Sequence, residues 1–126
     1  MGVPMPTHKV LSLSSDQVSA DDRRFALEQG GYVVTSCLKL DDARKLLTSE
    51  PFDALIIGHR FSAADKIALA NEAKSKGVPV VLVSGFSSDA NVPADARALT
   101  IDGADAVVKA VGGLIERRKT SGRTAA

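Results

Sequence analysis

The sequence predicts a three-layer α/β domain in which helices cover both faces of a doubly wound, five-stranded parallel sheet. Three observations predict it. Short runs rich in Val, Ile and Leu alternate with longer amphipathic stretches along the 126 residues, which is the rhythm of βαβ units. Two of these runs, DALIIG at 53–58 and VPVVLVS at 78–84, are apolar without alternation, as parallel strands buried on both faces require. Gly30-Gly31, Pro51 and Gly77 punctuate the joins where helices should stop.

KVLSLS at 9–14 supplies the first strand. Ser19 is expected to cap the first helix, which places Asp21 and Asp22 in its first turn, where negative charge complements the helix dipole. Gly30-Gly31 ends that helix. YVVTSC at 32–37 is the second strand, and LDDARKLLTS at 40–49 the second helix, with Ala43, Leu46 and Leu47 on one face at i, i+3, i+4 spacing. The strand at 53–58 belongs near the sheet centre. Ser62 caps a third helix over AADKIALANEAKSK, turning Ile67, Ala70 and Ala73 inward, and Gly77 takes the left-handed C-cap position. After the fourth strand at 78–84, a stretch rich in Ser, Asp, Asn and Gly reads as a loop. Pro93 opens a short helix through Asp102, DAVVKAV at 105–111 is the fifth strand, and GGLIERRK at 112–119 the last helix. Residues 1–8 form an N-terminal tail, 9–118 the domain, and 119–126 a flexible basic tail.

A hydrophobic content of 44% suffices for one buried core. Sixteen basic and fifteen acidic residues give a net charge of +1, which offers no general attraction for nucleic acid or an anionic membrane. The single cysteine, Cys37, has no partner for an internal disulfide, and no Cys/His cluster has metal-ligand spacing. No signal peptide, membrane span or myristoylation pattern is found, Pro6 standing where the last requires Ser or Thr. A cytoplasmic protein without metal or cofactor is expected.

In an open parallel sheet, ligands gather at the carboxyl ends of the strands. The residues there are Ser14, Ser15 and Asp16 after the first strand, Gly58, His59 and Arg60 after the third, Ser84 and Gly85 after the fourth, and Lys109 near the fifth. Asp16 reads as a loop acid that caps or solvates the turn before the first helix. His59 reads as a surface or loop-packing histidine, since no acid stands at a spacing that would orient it. Arg60 reads as solvated charge or part of a docking face, and Ser84 as a hydroxyl satisfying backbone at a strand end. The terminal RRKTSGR reads as a solvated helix end.

LEQGGYVV, DDARKLLTSEPFDALIIG, GVPVVLVSG and GADAVVK, in this order, resemble the receiver domain of bacterial response regulators in two-component signalling, over residues 9–118. The resemblance implies a flavodoxin-like receiver topology and a stand-alone domain. Receivers of the usual kind accept a phosphoryl group on an aspartate ending strand three and hold magnesium with an acidic pair after strand one. They contact the phosphoryl group with a hydroxyl after strand four and pair it with a lysine after strand five. The corresponding positions here are Gly58, Ser14 with Ser15, Ser84, and Lys109 followed by Ala110 in place of the usual proline. Glycine carries no nucleophile, and two serine hydroxyls carry no charge to offset the dehydration of magnesium.

The resemblance therefore implies a degenerate receiver, a pseudo-receiver, that is not an enzyme. It would act in phosphorelay signalling through a protein partner: a histidine kinase, a response regulator or an effector. A homodimer remains open, as does whether Lys109 fills the emptied site or points to solvent. The family's working surface corresponds to residues 93–116, with His59, Arg60, Phe86, Arg97 and Lys109 as candidate contacts. A conventional phosphate-accepting regulator is one alternative. A flavodoxin-like flavin protein is another, suggested by the hydroxyls of SLSSDQVS but opposed by Asp16, by the lack of glycine there and by the scarcity of aromatic rings.

Overall fold

Continuous apolar runs bury both faces of a strand only if helices lie above and below it, and the chain meets that demand. The computed structural model describes residues 8–85 and 91–124, with side chains through residue 117. The elements follow the order β1 (Lys9–Leu13), α1 (Gln17–Gln29), β2 (Val33–Cys37), α2 (Leu40–Ser49), β3 (Ala54–Ile57), α3 (Ala63–Ser75), β4 (Val80–Ser84), β5 (Ala96–Leu99), a 3-10 turn (Thr100–Asp102) and α4 (Gly103–Thr124). All strand pairings are parallel, in the order β2-β1-β3-β4-β5. The strand order reverses at β1 and β3, which opens the crevice where ligands of such sheets bind.

Alternation along the strands builds two cores. Leu11, Leu13, Leu55, Ile57, Val80 and Leu82 face α2 and α3, meeting Ala43, Leu47, Leu69, Ala70 and Ala73. Val10, Ala54, Ile56, Val81, Val83 and Ala98 face α1 and α4, meeting Leu27, Val107, Val111, Leu114 and Ile115. Every residue of β3 is fully buried, so the expectation of a central strand holds. Two acids lock strand starts by the same device. Asp53 accepts from the Lys9 backbone N–H at 2.8 Å and returns its own N–H to the Lys9 carbonyl at 2.7 Å. Asp95 does the same with Val80, at 2.7 and 2.9 Å.

Ser62 caps α3 by accepting from the Asp65 N–H, and Gly77 takes a φ of 72° behind it, both as expected. Three expectations fail. α1 is capped by Asp16, not Ser19, and begins early enough that neither Asp21 nor Asp22 lies in its first turn. The fifth strand is ARAL at Ala96–Leu99, within the segment expected to be a helix opened by Pro93. DAVVKAV is helical and joins GGLIERRK in the single helix α4, because Val107, Val111, Leu114 and Ile115 recur at i, i+4, i+7, i+8 and bury one stripe. The sheet is therefore served by four α-helices among the described residues, not five, and no described residue of the connection at 85–95 is helical. Instead Val92 and Ala94 pack on the core beside α3. α4 continues to Thr124.

Candidate functional site

At the carboxyl end of β1 the chain must leave the sheet and enter α1, and this turn sets the chemistry of the crevice. Asp16 is the N-cap. Its carboxylate accepts the Ser19 N–H at 2.8 Å, the Ser19 hydroxyl at 3.1 Å and the Ser15 hydroxyl at 3.4 Å. The backbone hydrogen bond from Ser19 is the main reason its pKa lies below the ordinary value, with Arg60 adding a smaller effect. Asp16 is thus committed to the helix end.

Once Asp16 fixes the register of α1, Ala20, Arg23 and Leu27 face the sheet. Arg23 is only 7% exposed. Its Nη1 donates to the Ser14 hydroxyl at 2.8 Å, the Ser12 hydroxyl at 3.2 Å and the Leu13 carbonyl at 3.3 Å. Ser12 and Ser14 are themselves buried. Burial lowers the guanidinium's pKa, opposed by Asp16, yet an arginine remains charged in any protein interior. The mouth of β1 therefore holds a fixed cation where acids were lacking in the sequence. Sequence reasoning missed Arg23, although its i, i+3, i+7 relation to Ala20 and Leu27 was legible.

Gly58 follows β3 directly. Its N–H donates to the Leu13 carbonyl at 2.8 Å. A Cβ added there would lie 2.9 Å from that same oxygen and 3.4 Å from Ser14 Cα. Glycine at 58 lets β1 and β3 close over the position where a side chain would stand. His59 is half-buried, and its pKa is lowered first by desolvation, then by the charges of Arg60, Lys66 and Arg23, against Asp16. Ser84 is buried at the end of β4, in register with Leu99 of β5.

Ser14, Gly58, His59 and Ser84 therefore meet at one edge, with Asp16, Ser15 and Arg60 around it, as the sequence suggested. Lys109 does not join them. It is exposed on α4, because the expected fifth strand is helix, and Thr100 is the residue that follows β5. Arg97 lies exposed on the edge strand and donates to the Val92 carbonyl at 2.8 Å. Phe86 lies outside the described residues. A cavity of about 190 Å³ opens beside the strand ends, walled by α1 with Arg23 and Asp22, by His59 and Val83, and by Thr100 and the first turn of α4.

Among the described residues no group of three or more His, Cys, Asp or Glu is placed to hold a metal ion, and no helix is long and apolar enough to cross a membrane. The sequence matches no protein-family model, and no curated protein matches it. Solved structures do match. A response regulator receiver protein from Sinorhizobium medicae WSM419 superposes with a TM-score of 0.78 at 21% identity, over 89% of this chain and 97% of that one. A CheY-like receiver domain protein from Methanospirillum hungatei JF-1 gives 0.78 at 15% identity, over 92% and 99%. The fold is that of a receiver domain. A third receiver-fold neighbour, a Thermotoga maritima response regulator solved in complex with Mg2+ and BeF, gives 0.74 at 18% identity, over 85% of this chain and 98% of that one. The α4 of this chain ends the receiver fold, and its first turn, not Lys109, borders the strand-end crevice.

Proposed function

We propose that this chain is a receiver-like module of two-component or phosphorelay signalling that works through protein–protein contact and accepts no phosphoryl group at its strand ends. The observation that carries the reading is the Arg23 guanidinium seated on Ser12, Leu13 and Ser14. Magnesium does not fit such a place. The available oxygens are two buried hydroxyls already facing a cation, a carbonyl shared with the Gly58 N–H, and a carboxylate engaged as a helix cap. A divalent ion would meet the guanidinium's charge at short range without anionic ligands to offset its dehydration.

Acyl phosphate formation also needs a carboxylate nucleophile, and position 58 offers a Cα packed against the Leu13 carbonyl. The conventional phosphate-accepting alternative therefore lacks both its nucleophile and its metal ligands at the strand ends. The flavin alternative is disfavoured as well, since the hydroxyls of Ser14, Ser15 and Ser19 are engaged with Arg23 or Asp16.

For the partner-facing surface, support comes from the edge of the sheet. Leu99 and Ile101 are 48% and 86% exposed, Arg97 lies on the same strand, and Lys109 is exposed on the adjoining helix. Apolar side chains flanked by cations suit an acidic, apolar patch on a kinase, regulator or effector. The test is to incubate the protein with a small acyl-phosphate donor and Mg2+ and measure its intact mass. The reading predicts an unchanged mass, and a stable adduct of one phosphoryl group refutes it.

A further inference from the structure

The geometry points to a metal-free oxyanion site in the cavity between α1 and α4, built for a phosphate group held non-covalently by Arg23, His59, Thr100 and the first turn of α4. Arg23 carries the inference. It is a buried cation, and buried charges are found paired. All of its hydrogen bonds leave through Nη1 toward β1. Among the described residues no carboxylate lies within ion-pair distance of it, and Nε and Nη2 have no acceptor. Asp16, the acid that acts on its pKa, is occupied by the helix cap. Arg23 lines the cavity, and Nε and Nη2 are the donors it has left for two oxygens of one anion.

The other walls add donors and positive potential. α4 is 22 residues long and presents its N-terminus there through Gly103 and Ala104. First-turn amides lack intrahelical acceptors, while Asp105 in the same turn acts against an anion. Gly103 has a φ of 76° and donates its own N–H to the Thr100 carbonyl, and Thr100 borders the same space. His59 closes the third wall, under a field from Arg60, Lys66 and Arg23 that outweighs Asp16. Asp22, exposed at the rim, acts against an anion and sets a limit on its affinity. A carboxylate has two coplanar oxygens for donors on three walls, whereas a phosphate spreads its oxygens in three dimensions. At about 190 Å³ the cavity takes phosphate as the free ion or as the head of a small phosphomonoester.

This goes beyond the signalling reading, and its test uses neither a phosphodonor nor Mg2+, so the two fail separately. The pKa of His59 is followed by NMR through its ring Cε1–H, in sodium phosphate and in sodium chloride at matched ionic strength, with His8 at the opposite end of β1 as internal reference. Phosphate should raise the His59 pKa by about 0.5 or more, saturably and with a midpoint of roughly 1 mM or below, and leave His8 unmoved. Arg23→Gln should weaken the effect about tenfold or more. Asp22→Asn, a surface change, should tighten binding several-fold, and it decides the matter alone if Arg23→Gln does not fold. Glycerol phosphate binding more tightly than inorganic phosphate identifies a monoester as the ligand, and equal or weaker binding identifies the free ion. The proposal is overturned if His59 does not respond to tens of millimolar phosphate, if chloride or His8 gives the same shift, or if Asp22→Asn leaves the midpoint where it was.

Discussion

Gly58→Ala isolates the closure of the strand ends. No positive φ is present at Gly58, so alanine suits the backbone, and at an unhindered site this exchange stabilises by about 0.4–1 kcal/mol through the unfolded chain. The obstacle is steric. The new Cβ would lie 2.9 Å from the Leu13 carbonyl oxygen, where an ordinary C···O contact is about 3.3 Å or more. That oxygen also accepts the Gly58 N–H at 2.8 Å and Arg23 Nη1 at 3.3 Å. Leu13 and Ile57 are fully buried, so β1 and β3 have no slack with which to part. Overpacking of about 1–3 kcal/mol and a weakened hydrogen bond of about 1 kcal/mol exceed the chain-entropy gain. The net loss is about 1–3 kcal/mol, or roughly 4–12 °C in Tm. Gly85→Ala is the control, since its Cβ would meet His59 Cδ2 at an ordinary 3.8 Å, and its stability should stay within about 0.5 kcal/mol of the parent. Urea unfolding of the three proteins checks this, and Gly58→Ala as stable as the parent would refute the reasoning.

Other outcomes follow from the same contacts. Arg23→Met leaves the Ser12 and Ser14 hydroxyls without their buried donor and should cost about 2–3 kcal/mol. Adding Ser12→Ala and Ser14→Ala should recover more than half of that in denaturant melts, and a triple variant no more stable than the single would contradict the assigned bonds. Asp16 has a folded pKa below its ordinary 3.8, so its contribution is present above that value and lost as pH falls through the folded one. Asp16→Asn keeps a capping oxygen that does not titrate, and its stability should fall less steeply than the parent's below about pH 4. Superimposable acid limbs would count against the cap. Cys37 is buried with its thiol pushed up to about 11, chiefly by desolvation. Iodoacetamide at pH 8 should therefore modify it only as fast as the domain opens, and labelling at the rate of a free thiol would show that the second strand is loosely held.

The sequence made most of the framework legible because burial there is complete. β3 and β4 are unbroken apolar runs that only a two-sided sheet can use, and Ser62 and Gly77 mark the ends of α3 by cap chemistry. β5 escaped because an edge strand of four residues needs little hydrophobicity: Ala96 and Ala98 face the core while Arg97 and Leu99 stay outside. Its place was given to the valines of α4, whose β-branched composition suggested a strand although their spacing is helical. Lys109 was lost to the site by that one error. Ser14 and Gly58 directly follow, and Ser84 ends, strands that the apolar runs made legible. Arg23 escaped for another reason. Charged residues are usually solvated, so its place on the buried face that Ala20 and Leu27 define was passed over.

The central claim is that the Arg23 guanidinium holds the place a divalent cation would need. Amide NMR spectra recorded during a Mg2+ titration at constant ionic strength test it most directly. The account predicts no saturable movement of the Ser14, Ser15, Asp16 or Gly58 resonances up to about 10 mM Mg2+. Saturable shifts of these four amides, with Arg23 released from Ser14, would contradict it.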